Sequence, residues 1–454
     1  MFKTDKSALE LNTNRKYLIM RFVTGCRLAF SDWRRFAALL LYIISASYVW
    51  INKSRILPPP ETIFFNSIIN YITDLVIILY IIIGLIFTLV LFGTPRGAKS
   101  ARDNLWKAGL VNHAGESPLL LSRIRAKTNK KIIILEFMAN GIPLKDWQDK
   151  KLKIESALNL HIAKISEGKN KTRILLYTVS ANYTLPDLIN WKNEFLSNRD
   201  FELILGESLL GKETVDLATI PHVLLGGSTG SGKSILLKSL IMQCVLRGAI
   251  VCIADFKGGV DFPSMWHQYC TILTKENDLL SLLSLIVEEL MYRQQLLKES
   301  GYSTIKEHNE ETGSDLKRYV FFCDEIAEIL DKTGLDKYEK EIISKIENKL
   351  ATIARQGRAF GIHLILATQR PDATILQGQI RNNINYRVCG RADNVLSQII
   401  LDNTTASDQI PKDAQGRFIN HEGTVFQGYW CDEHTVFDDM PLPKSTNFQS
   451  KKQE

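Results

Sequence analysis

The longest apolar run in the chain extends from Leu75 to Phe92 and contains Leu, Ile, Val and Phe with no charged residue. Phe36 to Ile51 is a second uncharged run, which would be about 24 Å long as a helix. We therefore predict a transmembrane hairpin of two helices at about 36–51 and 70–92. A buried helix of a soluble domain is the alternative for each run, although such helices seldom stay apolar on every face.

Basic residues flank this hairpin on the side of both chain ends. Arg34 and Arg35 precede it, and Arg96 and Lys99 follow it. The positive-inside rule then predicts a multi-pass protein of the cell membrane with residues 1–35 as a basic cytoplasmic segment and both termini in the cytoplasm. Lys53 and Arg55, in the connection that also contains Pro58, Pro59 and Pro60, oppose this orientation.

Residues 96–200 have mixed patterns that predict a small α+β adaptor domain. Strand-like runs cover 131–137 and 173–179, around a helical segment near 144–162. Beyond residue 200, continuous apolar strands end at Leu225, Ala254, Cys323 and Ala367. Strands of this kind are typical of parallel sheets covered on both faces, so we predict an α/β domain over 201–441 and a polar tail over 442–454.

Composition adds little to this picture. The formal net charge is +7 with a pI near 8.8, which suits work beside anionic lipid or nucleic acid. The seven cysteines form no C-x-x-C pair, and we interpret them as reduced thiols of a cytosolic protein.

A glycine-rich loop follows the strand that ends at Leu225. It satisfies the pattern G-x-x-x-x-G-K-[ST] between a strand and a helix, and it consists of Gly227, Ser228, Thr229, Gly230, Ser231, Gly232, Lys233 and Ser234. Backbone N–H groups of such a loop bind phosphate oxygens, aided by the dipole of the following helix. The segment therefore predicts a RecA-like P-loop NTPase that binds ATP, with Lys233 on the β and γ phosphates.

Two further strand ends complete the predicted site. Asp324 and Glu325 follow the apolar strand that ends at Cys323, as in a Walker B motif. We expect Ser234 and Asp324 to hold Mg²⁺, Glu325 to act as general base, and Gln369, at the end of the next strand, to sense the γ phosphate. A helix-capping role for the acidic pair is the alternative.

The strand that ends at Ala254 is followed by Asp255, Phe256 and Lys257. This places a carboxylate and a lysine at the same sheet edge, either as functional groups or as an ordinary turn. We considered the Lys257 loop as a contributor to a pore, along with Arg381, Arg387 and Arg391.

The segments Pro221–Leu225, Asp324-Glu325, Gly361–Pro371 and Gly378–Ile384 together resemble the FtsK/SpoIIIE family of DNA translocases. The resemblance covers about residues 200 to 430. It implies a homohexameric ring that hydrolyses ATP to pull DNA through its pore, with an arginine of the neighbouring subunit completing each site. We chose Arg358 for that catalytic arginine, with Arg387 as the other candidate, and a surface or structural role is the alternative for each.

The chain departs from the segregation motors of this family, which have a long linker and a C-terminal winged-helix domain. A two-span anchor, a small adaptor and a bare motor resemble the TcpA-like coupling proteins of Gram-positive conjugative elements. The resemblance implies sequence-independent DNA binding, relaxase and conjugation channel proteins as partners, and transfer of DNA into the channel. Alternatives are a chromosome or plasmid partitioning translocase, an FtsK-like protein-secretion ATPase, and a scaffold that does not hydrolyse nucleotide.

Overall fold

The computed structural model describes residues 6–30, 33–56, 66–127, 129–258, 260–369 and 378–433. The chain divides into two compact units, residues 1–181 and 182–454. The connection with its prolines at 58–60 and the predicted boundary between the α/β domain (201–441) and the polar tail (442–454) lie outside the described residues.

The first unit opens with long helices: α1 (Lys6–Ala29), α2 (Trp33–Ile51), the short α3 (Lys53–Ile56) and α4 (Asn66–Phe92). Two of them, Trp33–Ile51 and Ile68–Phe92, are long and apolar enough to cross a membrane. The segment that we predicted only as basic and cytoplasmic is thus largely helical. Helix α1 packs directly on α4, because Gly25 and Gly93 let the two backbones approach so closely that a Cβ atom on Gly25 would lie 1.7 Å from the Leu89 carbonyl oxygen.

The buried Arg21 of α1 connects the helices to the remainder of this unit. Its guanidinium donates to the carbonyl oxygens of Gly93, at 2.8 Å, and of Leu121, at 3.0 Å, and also to that of Leu120. It lies 4.4 Å above the ring of Tyr17. Because an arginine buried without such acceptors would be costly, these bonds fix the end of α4 against the chain around Leu121.

The rest of the first unit is a four-stranded antiparallel sheet with helices on one face. Its elements are α5 (Ala98–Lys107), β1 (Leu119–Arg125), β2 (Ile133–Met138), α6 (Leu144–Asp149), α7 (Lys151–Leu158), β3 (Leu160–Glu167) and β4 (Arg173–Ser180). The strand order is β1-β2-β4-β3. Leu105, Phe137, Trp147 and Ile154 pack in its core. One predicted boundary is wrong: the helical pattern near 144–162 ends at Leu158, because Asn159 adopts a left-handed conformation and β3 begins at once.

The second unit alternates strands and helices. Its elements are β5 (Glu202–Ser208), β6 (Gly211–Asp216), β7 (His222–Gly226), α8 (Lys233–Leu246), β8 (Ile250–Ala254), β9 (Thr271–Leu273), α9 (Glu276–Ser300), α10 (Ile305–Thr312), β10 (Tyr319–Cys323), α11 (Ile326–Leu330), α12 (Lys337–Gln356), β11 (Ile362–Thr368), α13 (Gly378–Arg381), β12 (Tyr386–Cys389), α14 (Asn394–Leu401), α15 (Thr405–Gln409), β13 (Arg417–Asn420) and β14 (Val425–Gly428).

These strands form one sheet in the order β6-β5-β14-β13-β12-β7-β11-β10-β8-β9. The strands from β12 to β9 pair in parallel, and β13, β14, β5 and β6 add an antiparallel edge. The prediction of a mostly parallel α/β sheet is confirmed. In the parallel part, Gly226 lies opposite Thr368, and Cys323 lies opposite Ala254, so the strand ends meet at one edge.

Alternate side chains of the central strands face opposite layers of helices. Val223 and Leu225 of β7 pack with α8 on one face, whereas Leu224 packs with the layer of α9 and α12 on the other. Both faces of the strands are therefore buried, which explains why their sequences are apolar throughout.

The boundary between the two units differs from our prediction. We assigned residues 182–200 to the adaptor, but they belong to the second unit. Trp191 and Phe195 pack their rings against Tyr429, and the amide of Trp191 donates to the carbonyl oxygen of Trp430 at 2.7 Å. These partners lie 230 or more residues away in the sequence. The local sequence pattern therefore could not show that residues 182–200 belong to the second unit.

Candidate nucleotide site

The glycine-rich loop connects β7 to α8 at the carboxyl edge of the parallel strands. Gly232 caps the helix with a φ angle of 94°, and a Cβ atom there would lie 2.8 Å from the amide nitrogen of Gly416. Only glycine fits both conditions. The Gly416 amide in turn donates to the carbonyl oxygen of Ser231 at 2.9 Å. Residues just before β13 thus support the P-loop from outside.

A second support comes from Arg391, which follows β12. Its Nη2 donates to the carbonyl oxygen of Thr229 at 2.6 Å, and its Nη1 to that of Lys412 at 2.7 Å. The carbonyl oxygen of Arg391 accepts from both the amide and the hydroxyl of Ser228 at 2.8 Å. Arg391 therefore holds the tip of the P-loop within its own chain, and this position differs from the pore role that we considered for it.

Lys233 and Ser234 begin α8 and converge on the Walker B carboxylate. The ammonium of Lys233 donates to the backbone carbonyl of Asp324 at 2.6 Å and to its Oδ1 at 3.1 Å. The hydroxyl of Ser234 lies 3.2 Å from the same Oδ1. Lys233 and Asp324 are 4% and 2% exposed, so this ion pair is almost completely desolvated.

Lys257 provides a second cation at the same carboxylate. Its ammonium lies 2.5 Å from Oδ2 of Asp324 and 3.9 Å from Oδ2 of Asp261. Its backbone amide donates to Oδ1 of Asp255 at 3.0 Å, which fixes the turn after β8. Lys257 therefore belongs to the nucleotide site and does not extend from the edge of the sheet as a pore residue would.

Glu325 is held by the end of β11. Its Oε1 accepts from the hydroxyl of Thr368 at 2.7 Å, and its Oε2 accepts from the amide of Gln369 at 2.8 Å. The side-chain Oε1 of Gln369 accepts from the hydroxyl of Thr229 at 2.9 Å. The expected general base, the expected phosphate sensor and the P-loop are thus joined in one chain of hydrogen bonds.

Opposing effects set the protonation of the acids. Burial alone would raise the pKa of Asp324, but the charges of Lys233 and Lys257 outweigh it and hold that pKa below its ordinary value. Burial alone would likewise lower the pKa of Lys257, yet its bond to Asp324 and the nearby acids raise it. Burial raises the pKa of Asp255, and the charges of Asp261 and Asp324 add to the effect.

The donor set fits a magnesium ion bound mainly by a nucleotide. Mg²⁺ prefers hard oxygen ligands, and it commonly takes only one or two from the protein while phosphates and waters supply the rest. The hydroxyl of Ser234 and the carboxylate of Asp324 lie side by side at the N-terminus of α8. Among the described residues there is no cluster of three or more His, Cys, Asp or Glu that would favour a metal held by protein alone.

A cavity of about 830 Å³ lies on the other side of the P-loop. Gly230 and Gly232 border it, with Leu188, Phe418 and Trp430 among the apolar groups that line it. Asp324 directly follows β10, which lies on the β11 side of β7, whereas this cavity lies toward β13.

Arg358 and Arg387, the two candidates for the arginine that a neighbouring subunit contributes, lie away from this site. Arg358 is exposed in the turn before β11, at the end of that strand opposite to Gln369. Its side chain is exposed at the edge of the sheet opposite to the P-loop, so it is not part of the nucleotide site of its own chain. Arg387 is held within the chain by Asp402, at 2.5 Å, and Arg381 pairs with the same carboxylate.

The site combines a P-loop supported on both sides with a buried acidic pair that follows β10 and a polar residue that follows β11, the strand between β7 and β10. These features define a P-loop ATPase. The family model for FtsK/SpoIIIE matches residues 196–373. In the solved structures, the conjugation coupling protein TcpA of pCW3, in a monomer form with ATPγS, is 32% identical, with a TM-score of 0.56 over 75% of this chain and 97% of that chain. The chain belongs to the FtsK/SpoIIIE family.

Relatives of known name support this assignment. The DNA translocase FtsK of Helicobacter pylori strain J99 is 30% identical over 221 residues, which are 45% of this chain and 25% of that protein. The DNA translocase FtsK of Treponema pallidum strain Nichols is 27% identical over 322 residues, 62% of this chain and 38% of that protein. The chain thus spans about a quarter of the length of the Helicobacter translocase that it matches.

The sequence predicted the P-loop after β7 and the residues that follow β10 and β11, and the structure brings these residues together. The predicted Arg358 lies away from them. Sequence reasoning missed the support from Arg391 and Gly416, which lie more than 150 residues beyond the P-loop and match no motif. Lys257 carried a usable signal, because a lysine directly after a parallel strand lies at the same edge as the phosphates.

Proposed function

We propose that this protein is a membrane-anchored, ATP-driven DNA translocase that acts as a coupling protein and moves relaxase-bound DNA into a conjugative transfer channel. The observation that carries the proposal is the similarity to TcpA, which extends over 97% of that chain at 32% identity. The match includes far more than a motor core, since 75% of this chain takes part in it.

The P-loop site suits ATP hydrolysis. The amides of the loop and the N-terminus of α8 would bind the phosphates, with Lys233 on the β and γ phosphates. Ser234 and Asp324 would hold the metal. Mg²⁺, when bound, neutralises charge that develops on the phosphates. Glu325 orients and deprotonates the attacking water, while Gln369 contacts the γ phosphate from the end of β11.

The two apolar helices suit an anchor in the cell membrane. Most of their described residues are exposed, as expected for helices whose solvent is lipid, and the buried ones among them are Leu39, Ile77 and Leu89. Asp74 lies near the start of the second span and pairs with Lys53 at 2.5 Å, so its charge is not left unpaired. Basic flanks would then keep both termini in the cytoplasm.

The motor would work as a homohexamer that binds DNA without reading its sequence. The exposed position of Arg358 at the edge opposite the P-loop suits an arginine that reaches the site of a neighbouring subunit. The paired state of Arg387 makes it less suitable for this role.

The test uses the full chain in nanodiscs, with ATP hydrolysis measured alone, with single-stranded DNA and with duplex DNA. Glu325→Gln is the matched control, because it keeps the size of the side chain and removes the base. We expect DNA to stimulate hydrolysis and the control to abolish it. Stronger stimulation by single strands favours conjugation, and stronger stimulation by duplex favours a partitioning translocase. Hydrolysis that ignores both DNAs in assembled rings would contradict the proposal.

A further inference from the structure

Asp324 is neutralised by two lysines on opposite oxygens. Lys233 contacts Oδ1 at 3.1 Å and Lys257 contacts Oδ2 at 2.5 Å. Lys233 has a known destination when nucleotide binds, because P-loop lysines contact phosphates. Lys257 has no such destination in the motif, although its contact with the carboxylate is the shorter of the two.

Simultaneous binding of a divalent cation and the Lys257 ammonium to Asp324 is unfavourable. The carboxylate is 2% exposed, so little water is present to screen the repulsion between an ammonium and Mg²⁺ at this position. Either the lysine leaves when the metal arrives, or the metal binds more weakly than the carboxylate alone would allow.

An alternative acceptor for Lys257 lies beside it. Asp261 is already 3.9 Å from the ammonium. Oδ2 of Asp255 is buried and, within the described part of the chain, has no hydrogen-bond partner. The Lys257 amide is bonded to the other oxygen of Asp255, so the backbone can stay in place while the side chain turns between the two acceptors.

We propose that Lys257 is the counter-ion of Asp324 in the nucleotide-free protein, and that Mg²⁺ with nucleotide displaces it onto Asp255 and Asp261. Lys257 is thus a positioning residue that competes with the metal and links occupancy of the site to the turn after β8. The proposal rests on nucleotide binding at the P-loop, but it does not depend on DNA translocation.

The test measures how much Mg²⁺ is needed for a fixed concentration of a fluorescent, slowly hydrolysed ATP analogue to bind the full chain in nanodiscs. Lys257→Met removes the competing cation, so the half-saturating Mg²⁺ concentration should fall by roughly tenfold. Asp261→Asn weakens the alternative acceptor, so Lys257 is paired with Asp324 in a larger fraction of molecules. The half-saturating Mg²⁺ concentration should therefore rise. Lys257→Arg keeps a cation and should restore a requirement close to that of the wild type.

Opposite shifts for Lys257→Met and Asp261→Asn would support the exchange. A raised requirement in Lys257→Met would overturn it, because the lysine would then assist metal binding. An unchanged requirement would overturn it as well. Lys298→Met, an exposed lysine in the last turn of α9, is the control for loss of charge alone. If the wild type bound no analogue at saturating Mg²⁺, the proposed ATPase function would fail instead.

Discussion

Arg391 donates a hydrogen bond of 2.6 Å to the carbonyl oxygen of Thr229, although the two residues are 162 positions apart in the sequence. The same guanidinium donates to the carbonyl oxygen of Lys412. The P-loop therefore depends for its shape on a residue that follows β12, the last of the parallel strands along the chain. This dependence can be tested separately from the phosphate contacts.

Arg391→Gln should weaken nucleotide binding by about tenfold, because a planar fork that joins two carbonyl oxygens is lost and the loop tip is no longer fixed. Binding of ATPγS to the full chain by calorimetry measures the effect. Arg355→Gln, an exposed arginine in the last turn of α12, is the control. Equal affinities for Arg391→Gln and the wild type would show that the loop keeps its shape without this contact.

Gln369→Ala should lower kcat by about tenfold or more while the affinity for ATP changes little, because the lost side chain is the group expected to contact the reacting phosphate. The amide of Gln369 still donates to Glu325 in this variant, so the base keeps its position. Steady-state hydrolysis separates kcat from KM. Gln356→Ala at the end of α12 should match the wild type. A large change in KM alone would instead assign Gln369 to ground-state binding.

His222 should make the protein less stable in acid. Burial lowers its pKa to about 4, and its Nδ1 accepts from the amide of Leu364 at 3.0 Å, which only an unprotonated nitrogen can do. The unfolded chain binds the proton near pH 6.5, so the free energy of unfolding falls as pH drops from about 6.5 toward 4, by roughly 3 kcal/mol at most.

The variant His222→Asn keeps a hydrogen-bond acceptor for the amide of Leu364 but has no group that titrates. Its thermal unfolding should therefore depend less on pH between about 6.5 and 4. His113→Asn, at an exposed position, should retain the slope of the wild type. Identical pH slopes for His222→Asn and the wild type would remove His222 as a cause of the acid sensitivity.

Gly25→Ala should destabilise the helices of the first unit by about 2 kcal/mol or more, because the new Cβ would overlap the carbonyl of Leu89 and α1 would have to move away from α4. Gly84→Ala is the matched control. Its Cβ would contact only side-chain atoms of Tyr42, the hydroxyl oxygen at 2.5 Å and two ring carbons at 3.2 Å. A side chain can shift more easily than a backbone carbonyl, so the loss of stability should be smaller. Thermal unfolding in nanodiscs compares the two, and equal effects would contradict the predicted close contact.

The sequence by itself determined the class of the second unit and most of its site. Continuous apolar strands predict a parallel sheet buried on both faces, and such strands place the residues that follow them at a common edge. Once the P-loop was recognised, Asp324, Glu325 and Gln369 followed from their positions after β10 and β11. Each of these signals is local, since a strand and the residue that ends it are adjacent in the chain.

Only the tertiary structure decided which distant groups complete that site. Three contacts depend on which strands become neighbours in the sheet. Arg391 and Gly416 support the P-loop, Trp191 packs on Tyr429, and Lys257 pairs with Asp324. Strand order is fixed by packing over the whole unit, and no short pattern encodes it. The sequence thus predicted which groups lie at the carboxyl edge of the sheet, but only the tertiary structure showed which residues those groups contact.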